Sequence, residues 1–374
     1  MKRILVIPHH PGLFDKIKIR LVEIAKALSS NYEVYFVNWS ATHGAKSFGA
    51  RIDDTLKDVF HSEKMYKMDN LNVIEFPFLH RPLFLAPRFN SFWLSRAIDR
   101  HGIDVVINGS YYVFNIKKDR HFKYVFDLAD FPFTGDRYFD CFIDRQIKKE
   151  LSTADAATVV SRSLAKYMLD KYKEETLFVP NGAYINELRR KNMKGIENIR
   201  QRYNLGNKFI IGYVGFMGEW VDIKFLVSAF RQVKKDIKNA CLLLVGASSY
   251  PRSYIQELSG DDVVFTGGIK EDINDYFNCL DIAVLPHRKS DFQDMAFHIK
   301  LIEYSAARKI VISTPLEEVV NLRFPSIILA ELKLGDWVRA IKKARDMQWQ
   351  SGWDRLVDPY DWKNIADKLC AIIK

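Results

Sequence analysis

DIAVLPHRKSDFQDMAFHIKLIEYSAARKIVISTP, residues 281–315, is the stretch on which the fold turns. It opens with the apolar run Ile282, Ala283, Val284, Leu285 and stops at Pro286–His287. A polar loop follows, then a helical pattern from about Ala296 or Phe297, then a second β-branched run, Ile310 to Ile312, ending at Thr314–Pro315. Runs this apolar do not alternate, so both faces of the strand are covered. Two such strands joined by an amphipathic helix imply a parallel sheet covered on both faces.

The same rhythm extends in both directions. Upstream lie FIIGYVGF, CLLLVGA and VVFTGG, and downstream IILA, with helical stretches between them. Before residue 183 a separate series reads ILVIPHH, EVYFVNW, NVIEFPF, VVINGS, YVFDLAD, AATVVS and TLFVPNG. A charged, weakly periodic stretch over residues 183–208 separates the two series. The pattern predicts two doubly wound α/β domains, over residues 1–185 and 186–358. The closing segment 359–374, PYDWKNIADKLCAIIK, is an amphipathic helix that either caps the second domain or crosses back to the first. Ligands of open α/β sheets bind beyond the carboxyl ends of the strands, which places the expected active site in a cleft between the two domains.

At 374 residues and 48% hydrophobic content, two domains each bury a substantial core. No run of 18 apolar residues exists, and the first apolar stretch is strand-sized and broken at Pro8, so neither a membrane span nor a signal peptide is expected. The four cysteines are scattered without CxxC spacing, which points to a reduced, cytoplasmic protein without a disulfide or metal framework. The net charge of +10 fits anionic partners or plain solubility. Nucleic acid is disfavoured, because no reader motif accompanies the charge. A dehydrogenase is disfavoured too: neither series has GxGxxG after its first strand, and YVGFMG holds only two glycines three apart.

Lys300 and Glu303 lie three residues apart and therefore on one side of their helix, near its start. A helix N-terminus offers free N–H groups and the positive end of the dipole, suited to a diphosphate. Lys300 would add a cation, and an ionised Glu303 can accept from both hydroxyls of a ribose. An ordinary surface ion pair has the same spacing.

Context favours the first reading. HIKLIEYSAARKIVIST resembles the donor-site motif of GT-B glycosyltransferases, P-x-K-x-x-E-Y-x-A-x-G-K-P-V-V-x-T. Lys300, Glu303, Tyr304, Ala306, Lys309 and Thr314 are kept, while His298 replaces the proline and Arg308 a glycine. Gly215, Trp220 and Asp222 match the Gly-x-x-x-x-Trp-x-Asp that opens the C-terminal domain in bacterial cell-surface polysaccharide glycosyltransferases. VPNG at 179–182, LLLVGA, VVFTGGI and DYFNCLDIAVLPHR follow that family's order over residues 124–315. The resemblance implies two Rossmann-like doubly wound domains facing across a cleft, and a nucleotide-sugar site built from Gly215, Trp220, Asp222, His298, Lys300 and Glu303. Two departures bear on mechanism. Phe216 and Val221 or Asp222 stand where many retaining members carry an Arg and a Lys, and Phe292 to Ala296 occupy the place of the first acid of E-x7-E, with Asp291 or Asp294 nearby.

In the first domain, Asp127 and Asp130 lie at and just past a strand end. An aspartate in a position like that of Asp130 is assigned as the base in related inverting enzymes, and a carboxylate there can deprotonate an acceptor hydroxyl. Either aspartate also suits a turn or helix cap. The first βα loop offers His10 and Gly12 as an acceptor or phosphate loop, with His9 adjacent and Asp15 as a further candidate base; no carboxylate or cysteine stands at ligand spacing to make the histidines a metal site. The segment HRPLFLAPRFNSFWLSRAIDRHG, residues 80–102, mixes arginines with Phe84, Leu85, Phe89, Phe92 and Trp93, as a membrane-surface segment would, although a helix facing its own sheet has the same composition.

The expectation is a glycosyltransferase moving a sugar from a nucleoside diphosphate sugar, a UDP-sugar by preference, to a lipid-linked or polymer glycan acceptor in surface polysaccharide synthesis. It needs no further cofactor, and it would work in the cytoplasm at the inner face of the membrane with peripheral membrane contact. A nucleotide-sugar epimerase of the same architecture, or a non-catalytic nucleotide-sugar-binding module, are the alternatives.

Overall fold

The computed structural model describes residues 1–9, 20–39, 59–60, 62–79, 85–117, 120–269 and 272–373. The chain divides into two compact units. One is Met1–Asn181 with Trp362–Lys374, the other Gly182–Asp361.

The first unit is built on an eight-stranded sheet of β1 (Arg3–Ile7), β2 (Glu33–Val37), β3 (Lys64–Met68), β4 (Leu71–Glu75), β5 (Val105–Asn108), β6 (Lys123–Leu128), β7 (Ala156–Val159) and β8 (Leu177–Phe178). Their order is β3-β4-β2-β1-β5-β6-β7-β8, and every pairing is parallel except β3 with β4. β1 sits inside because Ile4, Leu5, Val6 and Ile7 have no polar face to offer water; Ile4 pairs with Val34 on one side and Val105 on the other. Helices α1 (Arg20–Leu28), α2 (Ala86–His101), α3 (Arg137–Thr153) and α4 (Arg162–Tyr172) connect these strands. α3 starts where Asp136 accepts from the N–H groups of Tyr138 and Phe139, and α4 where Ser161 accepts from Leu164. α2 ends at Gly102, whose left-handed φ of 57° returns the last carbonyls to backbone N–H groups.

The second unit has the six-stranded, all-parallel order β11-β10-β9-β12-β13-β14. The strands are β9 (Phe209–Val214), β10 (Ala240–Val245), β11 (Val263–Gly267), β12 (Ile282–Leu285), β13 (Ile310–Ser313) and β14 (Ile327–Leu329). Its helices are α5 (Ile185–Arg189), α6 (Met193–Arg202), α7 (Ile223–Asp236), α8 (Arg252–Leu258), α9 (Ile273–Cys279), α10 (Asp291–Met295), α11 (Ile299–Ala306), α12 (Glu317–Leu322), α13 (Leu334–Asp346) and α14 (Asp354–Val357). The stretch read as a polar loop after β12 contains α10, because Ser290 caps it by accepting from the Gln293 N–H at 3.2 Å. The helix expected from Ala296 or Phe297 begins at Ile299 instead, with His298 at its N-cap.

The closing helix α15 (Trp362–Ile373) belongs to the first unit. Its apolar stripe of Trp362, Ile365, Leu369 and Ile373 is buried. Its last carbonyls accept from lysines on the sheet: Lys2 Nζ donates to Ile373 at 3.0 Å and Lys123 Nζ to Ile372. Cations at a helix C-terminus also meet the negative end of its dipole.

Candidate active site

The second unit gathers its functional side chains at the carboxyl end of β9 and the start of α11. Gly215 follows β9 with φ of 147°, a conformation that L side chains rarely adopt, and a Cβ there would lie 2.0 Å from Lys300 Nζ. Gly246, after β10, has φ of 123°, and a Cβ on it would lie 2.2 Å from the Gly215 carbonyl oxygen. Two backbones thus cross at the strand ends with no room for side chains, and the Lys300 ammonium rests in the space Gly215 leaves.

α11 is tied to that point from within. The Tyr304 hydroxyl, fully buried, accepts from the Val214 N–H at 2.8 Å, so the helix and the last residue of β9 move as one. Lys300 Nζ stands 5.7 Å from the centroid of the Tyr213 ring. It makes no hydrogen bond or salt bridge among the described residues. Burial pulls its pKa down, and the charge of Glu303 opposes this. Glu303 is half-buried one turn further on. A desolvated cation with no acceptor among the described residues, at a helix N-terminus, has the chemistry that suits an anion.

His298 does not replace the missing proline as a charged group. Its Nε2 donates to the Gln293 carbonyl at 2.8 Å, and burial drives its pKa down to about 4. His287, at the end of β12, donates from Nδ1 to Gln293 Oε1 at 2.9 Å and is pushed to about 3 by burial, with the neighbouring His298 adding to the shift. The two rings lie 5.1 Å apart. Both are neutral at physiological pH and pack within the loop between β12 and α11; among the described residues, Lys300 is the cation at the start of α11.

Asp222 is engaged locally. It caps α7 by accepting from Phe225 at 3.1 Å and holds Arg288 Nε at 3.1 Å, while Arg288 Nη1 donates to the Glu219 carbonyl at 2.9 Å. Trp220 is 41% exposed beside Phe216, itself 49% exposed, with their rings 5.9 Å apart. Asp294 accepts from the Glu317 N–H at 3.0 Å and so caps α12. Of the other motif residues, Lys309 is buried and donates to the carbonyls of Asn278 (2.9 Å) and Leu280, closing the end of α9. Arg308 takes a left-handed φ of 57°, the conformation for which the family's glycine is suited, and its guanidinium pairs with Asp354 at 2.7 Å.

In the first unit the two aspartates after β6 part company. Asp127 is wholly buried and held by Arg20 of α1, through Nη2 at 2.9 Å and Nε at 3.0 Å, with Thr158 Oγ1 at 2.6 Å. Burial would raise its pKa, but the guanidinium outweighs burial and holds the carboxyl below the usual range. The same Arg20 donates to the carbonyls of Val179 (2.6 Å) and Pro180 (2.8 Å) and to Asn181 Oδ1 at 3.2 Å. Asp127 is therefore a structural anion. Asp130 is reached by solvent yet hemmed in by surrounding protein; this desolvation raises its pKa to about 6, with Arg20 opposing and Asp127 reinforcing the rise. It combines access with a base's pKa.

His10, Gly12 and Asp15 lie outside the described residues, as does the start of the segment 80–102. Among the described residues no group of three His, Cys, Asp or Glu side chains is arranged to hold a metal ion. Arg20 escaped sequence reading because it looks like a polar position on an amphipathic helix, and its partner is 107 residues away.

Residues 208–374 match the family model described as group 1 glycosyl transferases. No curated protein matches the chain. Among solved structures, a glycosyltransferase from Rickettsia africae has a TM-score of 0.75 at 16% identity, covering 100% of this chain and 98% of its own. A sucrose-phosphate synthase from Thermosynechococcus elongatus has a TM-score of 0.72 at 17% identity, covering 100% and 98%. HepE of Anabaena, in complex with UDP, has a TM-score of 0.70 at 15% identity, covering 100% and 99%. These likenesses establish a GT-B fold.

Proposed function

We propose that this protein is a glycosyltransferase that moves a sugar from a nucleoside diphosphate sugar, specifically a UDP-sugar, to a hydroxyl of a lipid- or polymer-linked glycan in surface polysaccharide synthesis. The observation that carries the donor half is the Lys300 ammonium, seated on Gly215 at the start of α11 without a hydrogen-bonding anion among the described residues. The diphosphate completes that site, with Glu303 one turn on as acceptor for ribose hydroxyls. UDP in HepE, a chain of the same fold, supports the choice of nucleotide.

In the reaction the acceptor oxygen attacks the anomeric carbon, and the bond from that carbon to the diphosphate oxygen breaks. The acceptor proton passes to Asp130 and the electron pair leaves with the diphosphate, where Lys300 and the helix N-terminus meet the growing charge. With neutral histidines beside it and Phe216 after β9, Lys300 is the principal side-chain cation for that task. The basic surface and the lipid-linked acceptor go with work in the cytoplasm at the inner face of a membrane, by peripheral contact. Among the described residues no helix is long and apolar enough to cross one.

The test is a thermal-shift panel of UDP, GDP, TDP and their sugars. A ligand of the native state stabilises it by RT ln(1 + [L]/Kd), so UDP and one UDP-sugar should stand out. No shift with any nucleotide would overturn the reading. A shift with GDP or TDP alone would replace the donor.

A further inference from the structure

The first unit has a cavity of about 530 Å³ that shares no residue with Asp130 or with the donor residues. It lies between α2 and residues 115–117 and 120–122, ahead of β6. Its floor is apolar: Ile98 and Ile116 are buried there, and Phe92 stands beside them 57% exposed. Its rim is cationic, with Arg88, Arg96 and Lys117.

The charges around this groove do not cancel. Among the described residues none of those three cations is ion-paired. Among the described lining residues the one acid, Asp99, lies 3.8 Å from His121, and the further cation Arg120 is matched by Asp155 at 2.7 Å. Arg96 stacks against Phe92 and Trp93, with its guanidinium carbon 5.9 Å from each ring, so it is held toward the aromatic side of the groove. Arg88 and Arg96 are eight residues apart on one helix, about 12 Å, which spaces the cations along the groove. The volume is that of a small-molecule site.

An apolar floor under a cationic rim complements a molecule with an anionic head and an apolar chain. A nucleotide fits poorly, having no chain for the floor, and a neutral glycan leaves the cations unused. We propose that this groove binds a phosphate-bearing amphiphile, its phosphate on Arg88, Arg96 and Lys117 and its chain along Ile98, Ile116 and Phe92. The inference rests on the lipid-linked, membrane-surface part of the function proposed above and gives it a location. The amphiphile is either a phospholipid of a bilayer or a separate lipid phosphate, and the two are separable.

The test uses the full chain and isothermal calorimetry with dodecyl phosphate below its micellar concentration. Inorganic phosphate is the control without a chain, and dodecyl maltoside the control without a phosphate. Dodecyl phosphate should bind at least about 10-fold more tightly than either. Replacing Arg88, Arg96 and Lys117 together by Ala should weaken it by about 100-fold, taking roughly a tenfold share for each of two cations or more. Phe92→Ala, an exposed position that folding does not need, should weaken it severalfold. Sedimentation with phosphatidylcholine vesicles, with and without phosphatidylglycerol, identifies the source: co-sedimentation with anionic vesicles alone assigns a bilayer lipid, and none with either assigns a free lipid phosphate. Equal binding of phosphate and dodecyl phosphate, or undiminished binding by the folded triple variant, would overturn the proposal. The UDP thermal shift, read on the same variants, should be unchanged; its absence in the parent protein would sink the donor reading and leave the groove untouched.

Discussion

Gly215→Ala tests the donor site at its tightest point. A Cβ at residue 215 would lie 2.0 Å from Lys300 Nζ and 2.3 Å from Cε, whereas real Cβ contacts essentially never fall below 3.0 Å. The ammonium must withdraw by about 1 Å or more, out of the place where a diphosphate oxygen would meet it. Alanine also has to accept a φ of 147°, at a cost on the order of 1–3 kcal/mol. A hydrogen bond to a charged group contributes about 1.5–3 kcal/mol, so losing the Lys300 contact should weaken UDP binding by roughly 10- to 150-fold. Calorimetric titration with UDP at fixed ionic strength measures this, with a melting curve to confirm that the variant is folded. Lys300→Ala should lose a similar factor. The double variant should lose little more than either, because both changes remove one contact. A folded Gly215→Ala that binds UDP like the parent, or losses that simply add in the double variant, would refute the argument that Gly215 exists to admit Lys300.

Three further outcomes are expected. Asp130→Asn should lower turnover by about 10²- to 10⁴-fold while leaving UDP affinity intact. In the parent protein the rate should rise with pH through about 6, as the Asp130 carboxyl loses its proton, and the residual rate of the variant should lack that rise. Arg20→Ala leaves the Asp127 carboxylate buried without its cation and should destabilise the first unit by about 3–5 kcal/mol in urea unfolding, whereas a benign result would show that solvent reaches Asp127. His298, with its folded pKa lowered to about 4 from an ordinary 6.5, takes up its proton more readily when unfolded. Its contribution is therefore intact above pH 6.5 and is lost as pH falls toward 4, by up to about 3 kcal/mol, and His298→Asn should flatten that part of the acid-stability curve.

The architecture was readable because its signals are local. Ile4 to Ile7 and Ile282 to Leu285 are apolar on every residue, which only a strand covered on both faces tolerates, and both prove fully buried in parallel sheets. The Lys300–Glu303 spacing put both on one helix near its start for the same reason: 3.6 residues per turn is a property of the backbone and needs no partner. Arg308 shows the limit of pattern reading. It departs from the motif's glycine, yet it holds the left-handed turn that glycine would, with Asp354 pairing its side chain.

The sequence by itself determined that the chain is α/β with two largely parallel sheets, and it picked out the helix on which a donor diphosphate is proposed to rest; the antiparallel β3 was not legible in it. Only the tertiary structure decided what the individual charges are for. Asp127 and Asp130 are three residues apart and chemically identical, and nothing near them in the chain says which is free. Folding brings Arg20 from 107 residues away onto Asp127, leaving Asp130 open with a pKa near 6. Lys309 and Lys300 sit in one motif, but the first donates to two backbone carbonyls at the end of α9, while the second lies against Gly215 and Tyr213 and has no hydrogen bond or salt bridge among the described residues. A charge's role depends on the groups that surround it in space, and long-range packing supplies those groups.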